Sequence, residues 1–160
     1  MFTPGVKNHQ TLLETLPYQL DASDAWVTTL SNAAAHLAYY LDDINWCGFY
    51  LWDGEKLILG PFQGLPACTQ IALGRGVCGT ALEKQITLRI DDVHAFPGHI
   101  ACDGASHSEL VVPMIKNGHI IGVLDIDSPT PSRFTQDDQD VCEKAVAIIL
   151  DNLPARDYNL

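Results

Sequence analysis

Basic residues are scarce in this chain. Nine Lys and Arg stand against twenty Asp and Glu, for a formal net charge of −11. A protein that grips nucleic acid through its phosphates shows a basic patch, and none is visible here. Long apolar runs are also missing, with nothing near the ~18 residues of a membrane-spanning helix. The first residues, MFTPGVKNHQTLLETL, lack the basic and apolar blocks of a signal peptide, so a cytoplasmic protein is expected. There is no repeat, low-complexity tract or internal linker, and no C-x-x-C pair. These absences leave a small-molecule ligand as the favoured partner, with no nucleic acid and no membrane.

What is present is one domain's worth of chain. Its 160 residues, 47% of them hydrophobic, fit a single domain over 1–160 with a real core. Apolar residues recur at helical spacing over 24–41 (Trp26, Leu30, Ala33, Leu37, Leu41), with Ser23 as the expected N-cap. A weaker helix over 8–20 should end or kink at Pro17. NWCGFYLW and KLILGPF flank DGE, a hairpin signal. TQIAL reads as a strand, GTALEK as a short helix and ITLRI as another strand. Residues 91–107 read as an irregular loop. SELVVPMIK and HIIGVLDIDS enclose Asn117-Gly118, the clearest hairpin. A last helix follows Thr135, with Val141, Ala145, Ile148 and Ile149 on its apolar face. Helices, antiparallel strands and a closing helix imply an α+β fold, with helices packed on a mainly antiparallel sheet.

LGRGVCGTAL satisfies G-x-G-x-x-G through Gly74, Gly76 and Gly79, the phosphate-cradling pattern of dinucleotide folds. That motif needs a long crossover helix and a parallel strand ending in an acid about 20 residues on. Here only some six residues follow Gly79 before Gln85, and the neighbouring strands read as antiparallel. A turn whose glycines permit positive φ and close packing is the better reading.

Five cysteines occupy positions 47, 68, 78, 102 and 142. A reducing compartment argues against structural disulfides, so each is a filler, a metal ligand or a reactive thiol. His99 and Cys102 form H-x-x-C, but no second pair at usual spacing completes a zinc site. Cys47, in an aromatic strand, and Cys142, on a helix, read as core fillers. Cys68, Cys78 and Cys102 lie in Gly/Pro-punctuated, loop-like sequence, where inert and reactive readings stand level. Asp125 and Asp127 alternate onto one strand face. If desolvated, their repulsion raises one pKa and supplies a proton donor; if not, they mark a solvated strand end. A two-residue Asn117-Gly118 turn pairs residues summing to 235, which sets Glu109 opposite Ile126 and away from both aspartates. A three-residue loop, or a bulge near Pro113, brings all three acids together.

INWCGFYL, LGPFQGLPACTQI, GRGVCGTA, RIDDVHAFPGHIACD, SELVVPMIKNGHIIGVLDIDS and RFTQDD, in this order from about Leu12 to Leu153, resemble the free methionine-(R)-sulfoxide reductases. The resemblance implies a GAF-like fold with a six-stranded, mainly antiparallel sheet flanked by helices, in a homodimer. It implies reduction of free L-methionine (R)-sulfoxide with no bound cofactor and no metal. By position, Cys102 matches the nucleophile and Cys68 the cysteine that resolves it as a disulfide. Cys78 matches a third cysteine of resolving or even primary role. Trp46 matches the aromatic residue near the substrate methyl group, and Glu109, Asp125 and Asp127 the acids at the sulfoxide. This favours the shifted hairpin register. Thioredoxin or a similar dithiol would recycle the disulfide. The rival reading is a non-catalytic GAF module that binds a small ligand or senses redox state, since fold alone does not set function.

Overall fold

The computed structural model describes residues 2–99 and 104–154. Six strands run β1 (Trp46–Trp52), β2 (Lys56–Gly64), β3 (Gln70–Ala72), β4 (Leu88–Ile90), β5 (Ser108–Lys116) and β6 (His119–Ser128). They form one sheet in the order β3-β2-β1-β6-β5-β4, and every neighbouring pair is antiparallel. The helices are α1 (His9–Thr15), α2 (Trp26–Tyr40), α3 (Gly76–Lys84) and α4 (Gln136–Asp151). This is the α+β, GAF-like architecture expected from the sequence. Among the described residues no helix is long and apolar enough to cross a membrane.

Local signals explain most boundaries. Asn8 caps α1 by accepting from the Thr11 N–H at 2.7 Å. Pro17 ends that helix in a short 3₁₀ turn, Leu16–Gln19, where its missing N–H costs nothing. Thr135 and Asp138 close α4 with a reciprocal capping box. The expected cap of α2 is corrected: the helix starts at Trp26 behind Ala25, with no side-chain cap. Ser23 is used earlier, its N–H and hydroxyl both bound to Asp21 Oδ1 at 2.8 and 2.7 Å.

Side-chain alternation splits the interior into two layers. Cys47, Phe49 and Leu51 of β1, Leu110, Val112 and Met114 of β5, and Leu124 and Ile126 of β6 pack against α1, α2 and α4. The opposite faces of the same strands present Trp46, Tyr50, Val111 and Val123 to α3. That helix connects β3 and β4, which lie at opposite edges of the sheet. It therefore crosses the whole face, and the cross-sheet path sets its first turn above the middle strands. A nine-residue helix in the connection between two edge strands of an antiparallel sheet is not a dinucleotide-binding crossover.

The β5–β6 hairpin settles the register. Asn117 and Gly118 both have positive φ, 51° and 77°, as a two-residue turn of this hand requires. Pairing begins in the simple register, with Lys116 opposite His119 and Ile115 opposite Ile120. It then slips by one, so that Met114 faces Gly122 and Glu109 faces Asp127. The slip is a bulge at Ile121, which drops into the helical core layer. Gly122 makes it possible, because a Cβ there would collide with the Tyr50 carbonyl on β1. The simple pairing of Glu109 with Ile126 is thereby overturned.

Candidate active site

The bulge puts carboxylates on the α3 face of the sheet. Across β1, β6 and β5, one row reads Trp46, Asp127, Glu109, and the next reads Gly48, Asp125, Val111. From above, α3 lowers Cys78 onto the acids. Its thiol lies 3.8 Å from Glu109 Oε1 and donates to it. Cys78 thus sits on a helix and is buried, in contrast to the loop expected from its glycine-rich context. The glycines serve that placement: a side chain on Gly79 would strike the Ala72 carbonyl of β3, so α3 could not lie against the sheet.

Cys78, Glu109 and Asp125 expose 4%, 7% and 6% of their surfaces, so three ionisable groups share a nearly dry site. Burial is the main cause that raises Glu109 well above the usual carboxylate range, followed by the charges of Asp125 and Asp127. Asp125 is raised from 3.8 to about 6 by burial, partly offset by hydrogen bonds from Glu109 and Cys78. Burial also pushes the Cys78 thiol up, and the surrounding carboxylates push it further. Near neutrality the acid pair therefore holds one proton, with Glu109 as the acid and Asp125 as the acceptor. Asp125 Oδ1 is buried without a hydrogen-bond partner among the described residues. The three side chains also bring one ligand atom each within 4.8 Å of the others, spacing that a divalent cation can use. Their upward pKa shifts favour proton storage over cation binding.

A cavity of about 40 Å³ opens at this cluster, lined in part by Tyr50, Arg75, Gly76, Val77 and Cys78. Glu109, Asp125, Asp127, His99 and Ser106 complete its polar wall. Of the residues singled out from sequence, Cys78, Glu109, Asp125 and Asp127 meet here. Trp46 does not line the cavity. It is 2% exposed and stacked between Phe62 and Tyr50, with centroids at 5.1 and 5.8 Å, and donates its indole N–H to the Leu65 carbonyl at 3.1 Å. It therefore backs Tyr50, which does face the cavity. Cys68 lies in the β2–β3 loop, and its carbonyl accepts from the Tyr50 hydroxyl at 3.0 Å. Among the described cysteines, Cys47, Cys78 and Cys142 carry free thiols, and Cys68 is disulfide-bonded. Cys102 lies outside the described residues.

Cys47 and Cys142 are wholly buried in the other layer, away from the cavity, as fillers should be. Burial raises both thiols, Cys142 to about 12. Sequence reasoning missed Arg75, Tyr50 and Ser106, and weighed His99 only as a zinc ligand. Tyr50 had a signal, since it alternates onto the face of Trp46. Arg75 precedes the α3 N-terminus and brings a fixed positive charge to an otherwise acidic wall.

Comparison with known proteins agrees with this architecture. The GAF domain family model matches residues 25–150. Free methionine-R-sulfoxide reductase of Escherichia coli is 51% identical over 134 residues, covering 84% of this chain and 81% of that protein. The crystal structure of fRMsr of Staphylococcus aureus in complex with substrate superposes with a TM-score of 0.87 at 46% identity, covering 95% and 99% of the two chains. Free methionine-R-sulfoxide reductase from Neisseria meningitidis, also in complex with its substrate, superposes with a TM-score of 0.85 at 39% identity, covering 95% and 93%.

Proposed function

The chain belongs to the free methionine-R-sulfoxide reductase family, and from that premise we propose that it reduces free L-methionine (R)-sulfoxide to methionine through cysteine thiols. The observation that carries the proposal is the buried Glu109–Asp125 pair, which stores a proton at the wall of a small polar cavity. A sulfoxide oxygen leaves poorly unless it is protonated, and a carboxyl kept neutral near pH 7 supplies that proton.

In this reading the sulfoxide oxygen lies against Glu109 and Asp125, and Asp127 and Asp125 hold the substrate ammonium group. Arg75 and the N-terminal turn of α3 receive the substrate carboxylate, where backbone N–H groups and a cation converge. Tyr50, backed by Trp46, covers the S-methyl group. Cys102 attacks the sulfoxide sulfur while the oxygen is protonated. The S–S-bonded adduct then breaks down as the hydroxyl passes from the methionine sulfur to the Cys102 sulfur: the S–S and methionine S–O bonds break, methionine leaves, the thiol proton replaces the one the carboxyl gave, and Cys102 is left as a sulfenic acid. Cys68 condenses with it, forming one S–S bond and releasing one water. An external dithiol such as thioredoxin then takes up the oxidation by exchange and returns both thiols. Cys78 is a poor attacker here, since burial and three carboxylates keep its proton on. Its thiol instead orients Glu109.

The test is direct. Purified protein is supplied with free methionine (R)- or (S)-sulfoxide and a dithiol reductant, and methionine is quantified. The (R) substrate alone should be consumed. C102S should lose even the first turnover, and C68S should release one methionine per chain but recycle poorly. Absence of (R)-specific product would overturn the proposal. Loss of the first turnover in C78S alone would move the nucleophile to Cys78.

A further inference from the structure

Outside the cavity, two imidazoles and a carboxylate converge at the surface. Asp92, His94 and His107 each bring one ligand atom within 4.8 Å of the other two. The backbone holds them there. Asp92 caps the 3₁₀ turn Val93–Ala95, its Oδ1 accepting from the His94 N–H at 3.0 Å. The Val93 N–H donates to the His107 carbonyl at 2.8 Å, and the His107 N–H donates to the Ser128 carbonyl at 2.8 Å. The two rings consequently stand edge to face, with centroids 5.0 Å apart at 82°. A further imidazole, His99, lies 5.8 Å from the His94 ring, and its Nε2 is buried without a hydrogen-bond partner among the described residues.

We propose that Asp92, His94 and His107 form a surface site for one divalent transition-metal ion of the zinc, cobalt or nickel kind. Two imidazole nitrogens and a carboxylate oxygen are the donor set such borderline ions prefer, whereas magnesium and calcium take oxygen almost exclusively. Ligation at about 2.0–2.1 Å sets tetrahedral donors about 3.3 Å apart. The three side chains must then close by at most about 1.5 Å, a rotamer adjustment at surface positions on a fixed backbone. The remaining coordination positions face solvent and take water. Asp92 and His94 precede Cys102 in the chain, and His107 follows it. One ion would therefore tie together both ends of the segment that carries Cys102. The site does not depend on the reductase reading, because none of its ligands lines the acidic cavity.

Cobalt(II) titration of the full, thiol-reduced chain, followed by absorption, tests this. One saturable equivalent should bind with ligand-field bands and without the thiolate-to-metal charge-transfer band that cysteine ligation produces. H94A and H107A should each weaken binding about tenfold or more, with unchanged circular dichroism, given the sensitivity of metal affinity to its supporting groups. C78S should leave the affinity as it was. Affinity should fall as the solution is acidified, because imidazole ligates only when unprotonated. A thiolate band, binding lost in C78S in place of the histidine variants, affinities within about twofold of wild type in both histidine variants, or no saturable binding would each overturn the assignment.

Discussion

Replacing Asp125 by asparagine separates the two things this carboxyl does. Its pKa rises from 3.8 to about 6 because burial opposes the charge. At 1.36 kcal/mol per tenfold change, holding it ionised at pH 7 costs the fold about 3 kcal/mol. The sign follows from the direction. Well below pH 4 both folded and unfolded chains carry the proton, and the cost is absent. Between about pH 4 and pH 6 the unfolded chain ionises first, so stability falls as pH rises through that window. Asparagine cannot ionise, and its carbonyl can still accept from Glu109 and Cys78. D125N should therefore come close to wild type near pH 4 and exceed it at pH 7 by up to about 3 kcal/mol, or some 6–12 °C in Tm at 2–4 °C per kcal/mol. Its activity should move the opposite way. Without the Asp125 charge Glu109 loses one of the causes that raise its pKa and holds its proton less firmly, so the rate should fall towards the roughly 10²–10⁴ that loss of a general acid costs. Thermal unfolding at pH 4 and pH 7, beside methionine production, measures both. A stability difference that does not change between those pH values would refute the raised pKa. Wild-type turnover in D125N would refute the proton-storage role.

The remaining expectations concern substrate hold, frame and cap. If, as proposed, its charge receives the substrate carboxylate without entering the chemistry, R75A should raise KM several-fold more than it lowers kcat; a fall in kcat with KM unchanged would place Arg75 at the reacting atoms instead. G122A forces a Cβ into the Tyr50 carbonyl across the central β1–β6 pair, so it should lose about 2 kcal/mol or more by denaturant titration. D138A removes half of the α4 capping box and the 2.9 Å ion pair with Arg133, at a cost of about 1–2 kcal/mol at pH 7. Burial alone would raise the Asp138 pKa, but its bonds to Thr135 and the charges of Arg133 and His9 lower it overall. That contribution is complete above the ordinary carboxylate pKa and is lost as pH falls through the lowered value. The gap between D138A and wild type should therefore shrink in acid, as urea midpoints across pH 2–7 would show.

Local chemistry was legible in the chain itself. Pro17 ended α1, Thr135 capped α4, and Asn117-Gly118 made the hairpin turn, because each acts through its own backbone or that of near neighbours. Alternation set Asp125 and Asp127 on one face of β6, since side-chain direction follows strand period. Ser23 misled because Asp21 competed for it inside the preceding turn. The glycine frame of LGRGVCGTAL hid the first turn of α3, since Gly79 answers to a carbonyl on β3 that no local pattern reveals.

The sequence by itself thus determined the secondary elements, the α+β class and the identity of the acids and thiols. The tertiary structure decided which of them meet. One extra residue at Ile121, accommodated only because Gly122 has no side chain to strike β1, moves Glu109 from the face of Ile126 to that of Asp127. The passage of α3 from one sheet edge to the other then seals Cys78 over the carboxylates. Burial, a property of the assembled layers, raises both carboxyls of the Glu109–Asp125 pair and so favours a shared proton there.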